Sequence, residues 1–193
     1  MAGRGLNAFT EKYSVLTQWN AMNFRLIALP LLFALASPAT AGEVFTGLHR
    51  HAVKTPLSLS ASEERGLDLS LGYRWSEIGR TGLQPYAFAA INSAGDTSYA
   101  AAGLSYRFGR KLYARPGIGL AIHNGSKANF DQPGNDQIEF GSRILIEPEV
   151  AVGVQASPRL AIEASWVHLS HATLFGRQNP GIDNIGLRLN WTL

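Results

Sequence analysis

From about residue 44 to the end of the chain, short segments alternate large apolar residues with small or polar ones, and none sustains helical spacing. Side chains of a β-strand point to opposite faces with period two, so each such segment reads as a strand with one apolar face. Leu67 to Trp75 is the clearest case: Leu67, Leu69, Leu71, Tyr73 and Trp75 alternate with Asp68, Ser70, Gly72 and Arg74. Comparable segments are Val44 to Val53, Leu83 to Asn92, Tyr99 to Phe108, Leu112 to Ile122 and Ile144 to Val154. A segment from Leu160 to Ser170 and a last one ending at Leu193 bring the number to eight. Gly, Pro, Asn and Ser separate them.

The face opposite the apolar one decides what these strands enclose. It is rich in Gly, Ala and Ser and carries Arg74, Arg107, Arg115, Glu147, Glu149 and Arg188. A soluble sandwich would place bulky residues inside and polar ones outside. Here the bulky face suits lipid and the charged face suits a plugged interior, so we expect an all-β, eight-stranded antiparallel transmembrane β-barrel. Connection lengths agree. SEIGRTG, GRK and ASPR, after the second, fourth and sixth strands, are short, whereas the connections after the first, fifth and seventh are long. Short periplasmic turns with longer external loops are the outer-membrane pattern, and Trp75, Phe108 and Trp191 then form an aromatic girdle at the short-turn end.

The stretch from Met22, MNFRLIALPLLFALASPATA, has an Arg, an apolar run and a small-x-small ending at Ala39, Thr40 and Ala41. It reads as a signal peptide spanning 1–41 with cleavage after Ala41, and the residues before Met22 read as an over-extended start. Its apolar run is too short to span a bilayer. Residues 42–193 then form the barrel. Three of the 17 Lys and Arg and one of the 14 acidic residues precede Gly42, leaving 14 basic and 13 acidic residues in the barrel. That balance gives no support to a nucleic-acid partner. With no Cys there is neither a disulfide framework nor a thiolate metal site.

On the last two strands the apolar faces turn polar where they meet their connecting loop. Leu160, Ile162, Ala164, Trp166, His168 and Ser170 share one face, and Asp183, Ile185, Leu187, Leu189, Trp191 and Leu193 share one on the final strand. Residues two apart on a strand lie about 6.5 to 7 Å apart on one face. Opposed side chains on paired strands come within about 5 Å. Parity therefore permits a Ser, His, Asp triad, in which an imidazole takes the serine proton and a carboxylate fixes its tautomer. It equally permits interface residues that meet lipid headgroups.

HLSHA at 168 to 172 and the acidic residue within NPGIDNIGL make this region resemble the outer-membrane lipid A 3-O-deacylase family, the PagL proteins. That family has His-x-Ser-Asn-Ala on its penultimate strand and Gly-Ile-Glu on its last. The resemblance covers most of residues 42–193 as architecture and is specific from about Leu112 onward, including ARPGIGLAI and FGSRILIEPEVAVGV. It implies an eight-stranded barrel that removes the 3-linked acyl chain of lipid A at the outer leaflet. Its active site would face lipid, and no metal or organic cofactor would be required. Lipopolysaccharide and membrane lipid would be its partners, and a homodimer stays open. Matched residue by residue, Ser170 is the nucleophile, His168 the base and Asp183 the acid, one methylene shorter than the family's Glu. His171 stands where the family has an Asn thought to help form the oxyanion hole. A neutral His could donate there, alongside backbone N–H groups near Ala172.

Further polar residues have simpler expectations. His49 and His51 lie two apart with no third ligand evident, so an exposed or luminal place is expected rather than a metal site. Glu147 and Glu149 share a face and are expected to neutralise luminal Arg74, Arg107, Arg115 and Arg188. Asp131 and Asp136 lack the spacing of a calcium loop. Lys127 and Arg177, on external loops, read as solvated cations or contacts for substrate phosphates. Two rival functions stay open: a non-catalytic barrel serving envelope integrity or adhesion, and a phospholipase or acyltransferase barrel.

Overall fold

In the computed structural model the described residues are 42–58, 64–128, 138–174 and 179–193. Eight strands form: β1 (Glu43–Arg50), β2 (Leu67–Arg74), β3 (Leu83–Asn92), β4 (Tyr99–Tyr106), β5 (Leu112–His123), β6 (Ile144–Gln155), β7 (Leu160–Ser170) and β8 (Gly181–Thr192). A two-residue segment, Phe108–Gly109, continues β4 past a break at Arg107. Every neighbour is antiparallel, and β1 pairs with β8 from Glu43 opposite Thr192 to Arg50 opposite Ile185. That pairing closes the sheet, leaving no edge strand to present unpaired backbone groups to lipid. The eight-stranded barrel expected from the alternation is the observed fold. The expected leader over 1–41, together with Asp131, Asp136 and Arg177, lies outside the described residues.

Burial is inverted relative to a soluble protein. Leu120 and Leu187 on the outer face are 60% and 61% exposed, while Arg74, Arg115 and Arg188 in the lumen are fully buried. The luminal arginines are neutralised by carboxylates from several strands. Arg74 and Arg115 both reach Glu43, at 3.0 and 2.8 Å, Arg115 also meets Glu163 at 3.1 Å, and Arg188 meets Glu149 at 2.8 Å. Glu147 accepts a hydrogen bond from the Tyr86 hydroxyl, and Glu163 one from Tyr113 at 2.9 Å. A paired charge avoids most of the desolvation penalty that an isolated one would suffer in the lumen.

Arg107 keeps the expected inward side but meets other partners than the expected carboxylates. It sits at the β4 break, donates to Gln155 Oε1 at 2.9 Å, and lies 3.7 Å over the Tyr113 ring. Phe108 opposite Ala114 continues the register of Ser105 opposite Gly117, so Arg107 keeps its inward side at the short-turn end and bonds Gln155 there rather than Glu147 or Glu149.

At the opposite end the lumen is filled by apolar side chains, including Phe140, Leu145, Val167, Leu169 and Ile182. Above them Glu64 ties together three external connections. Its carboxylate accepts from His51 Nε2 at 2.9 Å, from Thr97 Oγ1 at 2.8 Å and from the Ile138 amide at 3.1 Å. His51 also bonds Asp68 at 2.9 Å, and His49 bonds Ser165 at 2.7 Å, which gives both histidines luminal places. The long-loop end is thus a packed rim, and β7 and β8 deliver their polar residues to the outside of it.

Candidate active site

On β7 the inward positions are Ala161, Glu163, Ser165, Val167 and Leu169, so Trp166, His168 and Ser170 point outward. On β8 the outward positions at the same end are Gly181 and Asp183. The register sets His168 opposite Asp183 and Ser170 opposite Gly181. This register supplies the reach that the shorter acid needs: His168 Nδ1 lies 2.8 Å from Asp183 Oδ1. Because a carboxylate only accepts, Nδ1 carries the proton in this contact, and in the neutral ring Nε2 is then the basic atom.

Gly181 explains where that atom lies. A Cβ placed on Gly181 would stand 2.9 Å from His168 Cε1 and 3.2 Å from Nε2. The Cε1–Nε2 edge of the imidazole therefore rests over Gly181, the cross-strand partner of Ser170. Among the described residues no hydrogen bond joins Ser170 Oγ to the ring. Such contacts commonly tighten only when substrate is bound.

Asp183 is fully buried although its strand position faces outward. Four donors surround it. Trp166 Nε1 shares Oδ1 with His168 at 2.8 Å, and Ser58 Oγ donates to Oδ2 at 2.6 Å beside Thr55 Oγ1. Trp166 also stacks on His168, with ring centroids 5.8 Å apart and planes inclined by 26°. Sequence reasoning did not assign these partners. Trp166 was legible in principle, being two residues before His168 on the same face. Thr55 and Ser58 lie in a loop whose sequence, KTPLSLS, carries no periodic signal.

His171 is buried just beyond the end of β7. The backbone around it is unusual. Ala172 and Thr173 have φ of 51° and 60°, and the other non-glycine residue with positive φ among the described residues, Ala52, begins the loop that covers Asp183. Left-handed backbone at such residues costs roughly 1 to 2 kcal/mol each. Residues held in this region often cluster at functional sites. Elsewhere, Lys127 is exposed, and Glu147 and Glu149 are fully inside the lumen, on the other side of the wall.

Comparison with known proteins bears on the same region. A family model described as lipid A 3-O-deacylase (PagL) matches residues 57–192, from the loop over Asp183 to the end of β8. The crystal structure of the outer membrane enzyme PagL superposes with a TM-score of 0.56 at 19% identity, covering 78% of this chain and 99% of that one. The Yersinia pestis outer membrane protein Ail gives 0.47 at 13% identity, covering 80% of this chain and 100% of its own. No curated protein matches the chain in sequence. The structural likeness establishes the barrel, and the family model, spanning most of the chain, establishes the kinship: this chain belongs to the lipid A 3-O-deacylase (PagL) family.

Proposed function

We propose that this protein is an outer-membrane hydrolase that removes the 3-O-linked acyl chain of lipid A, with Ser170 as nucleophile, His168 as general base and Asp183 as its orienting acid. The observation that carries the reading is the 2.8 Å contact between His168 Nδ1 and Asp183 Oδ1 on the lipid-facing side of the barrel. A buried carboxylate there has no role in filling the lumen, whose own charges are paired inside. Family membership supplies the substrate class.

In this reading the long-loop end meets the outer leaflet, so an ester of lipid A can lie against the β7 and β8 rim without leaving the membrane. Ser170 Oγ attacks the ester carbonyl as His168 Nε2 takes its proton, and the carbonyl electrons move onto oxygen. Collapse of the tetrahedral intermediate breaks the bond to the lipid A 3-oxygen, which leaves with the proton from His168. Water, deprotonated by the same Nε2, then attacks the acyl-enzyme, and a fatty acid departs as Ser170 regains its proton. Asp183 stabilises the imidazolium formed twice in the cycle. Backbone N–H groups near Ala172 and the His171 ring are the proposed donors to the oxyanion.

Mass spectrometry of lipid A from bacteria expressing the intact protein or Ser170→Ala tests this reading. Loss of one 3-linked chain with the intact protein and not with the variant is the expected result. Loss with both would remove Ser170 from its role. Unchanged lipid A with altered phospholipids would favour a phospholipase or acyltransferase, and no lipid change despite folded protein would favour a non-catalytic barrel.

A further inference from the structure

Asp183 is held from a direction that the proposed triad does not need, and the first long loop does the holding. Ala52 N donates to Asn184 Oδ1 at 3.1 Å and Val53 N donates to the Asp183 carbonyl at 2.7 Å, fastening the loop to β8. Beyond these bonds the chain turns at Thr55. Leu57 N donates to Thr55 Oγ1 at 3.0 Å and Ser58 N to the Thr55 carbonyl at 3.2 Å. Thr55 Oγ1 is thus already an acceptor, and its single proton goes to Asp183. Ser58 Oγ also has one proton and two acceptors in reach, the Val53 carbonyl at 3.2 Å and Asp183 Oδ2 at 2.6 Å. The shorter, charged contact takes it.

We propose that Ser58, assisted by Thr55, is a positioning residue for Asp183, so that the loop after β1 is a working part of the active site. The inference rests on the triad reading above. Oδ1 serves His168 and Trp166, while Oδ2 is turned toward the loop and held there. With both oxygens occupied the carboxylate cannot rotate to offer His168 a different lone pair, and the imidazole keeps Nδ1 protonated with Nε2 over Gly181. The short arm of an aspartate leaves little slack, which makes the grip on its far oxygen matter. Donors on Oδ2 also draw off negative charge. Without them the carboxylate's charge bears more strongly on the imidazolium that forms during turnover.

The test is the pH dependence of fatty-acid release from purified lipopolysaccharide by detergent-solubilised protein, using Ser58→Ala, Thr55→Val, Ser58→Thr and Ser170→Ala. The faster gel migration of unheated, folded barrel serves as the folding control. Ser58→Ala is expected to lower kcat roughly 10- to 100-fold, the scale of a misplaced catalytic group. Its acid limb should move to higher pH, Thr55→Val should behave similarly, and Ser58→Thr should recover part of the rate. Wild-type rate and pH profile in folded Ser58→Ala and Thr55→Val, with Ser170→Ala inactive, would overturn the inference and leave the triad standing. A loss of rate with an unmoved acid limb would also overturn it, marking Ser58 as packing. Full activity in Ser170→Ala would overturn the underlying triad and this inference with it.

Discussion

The barrel wall separates two sets of buried charges made from similar chemistry. Inside, Arg74, Arg115 and Arg188 face Glu43, Glu149 and Glu163, while Glu147 takes the Tyr86 hydroxyl, so positive and negative groups meet within the lumen. Outside, Asp183 is saturated by Trp166, His168, Thr55 and Ser58, yet His168 uses only Nδ1 and leaves Nε2 over a glycine. One network ends in neutralisation and the other in a basic atom with room beside it. Burial of charge therefore does not by itself mark chemistry in this fold. What sets the outer cluster apart is that its imidazole faces lipid with the Nε2 lone pair beside a glycine.

The sharpest way to break the contrast is to remove the proposed base and nucleophile. His168→Ala and Ser170→Ala should each lower deacylation by about 10³-fold or more, the loss seen when a triad member is removed. The barrel should still fold, because neither side chain contributes to the lumen. Lipid A mass spectrometry beside a folding gel reads both, and an unfolded His168→Ala would assign the outer cluster to structure as well.

The reverse experiment concerns the interior. Arg115→Ala leaves Glu163 and Glu43 each without a cation that lies about 3 Å away in the native lumen. Breaking a buried pair from one side costs about 3 to 5 kcal/mol. The urea midpoint should fall accordingly, while the specific activity of the fraction that folds stays near wild type. A selective loss of turnover with unchanged stability would blur the two regions into one.

Gly181→Ala probes the space that distinguishes them. Its Cβ would press on Cε1 of His168 at 2.9 Å and on the Leu169 carbonyl at 3.0 Å, so the ring must shift. Activity should fall roughly 10- to 100-fold through displacement of Nε2, with a much smaller change in unfolding midpoint.

How much of this was legible follows from period two. Parity assigned the outward face to His168, Ser170 and Asp183 and the inward face to Arg74, Arg115, Glu147, Glu149 and Arg188, because on a strand each residue's side is fixed by counting. Counting does not fix partners or strand ends. Arg107 kept its inward side but met Gln155 and the Tyr113 ring instead of Glu147 or Glu149, and the first segment, expected to run to Val53, ends at Arg50 before the chain turns over the rim. It fails too for Thr55 and Ser58, whose contacts with Asp183 bring together residues 128 and 125 positions apart. No local pattern encodes that meeting. Glu43 and Glu163 were within reach of the same counting, since both fall on inward positions, and the register of β1 on β2 and of β7 on β8 sets them opposite Arg74 and Arg188.

A second histidine offers the finest test of the comparison. His51 sits at the rim with both ring nitrogens committed, Nδ1 to Asp68 and Nε2 to Glu64, each at 2.9 Å. Burial opposes its charge, but the two carboxylates outweigh it and hold the imidazolium up to about 9. The folded pKa thus exceeds the ordinary value near 6.5. Stability from this cluster is fully present below that ordinary value and is lost as pH rises through about 9. The urea midpoint of the intact protein should therefore decline between pH 7 and 10. His51→Gln should start lower and change less over the same range. If His51 is purely a clasp for the external connections, its variant measured where it is folded should deacylate lipid A with an unshifted acid limb. A flat wild-type midpoint would mean that His51 is neutral in the fold. A shifted acid limb in His51→Gln would mean that the rim histidine and the lipid-facing one are electrically joined through the wall, and the separation between the two clusters would have to be given up.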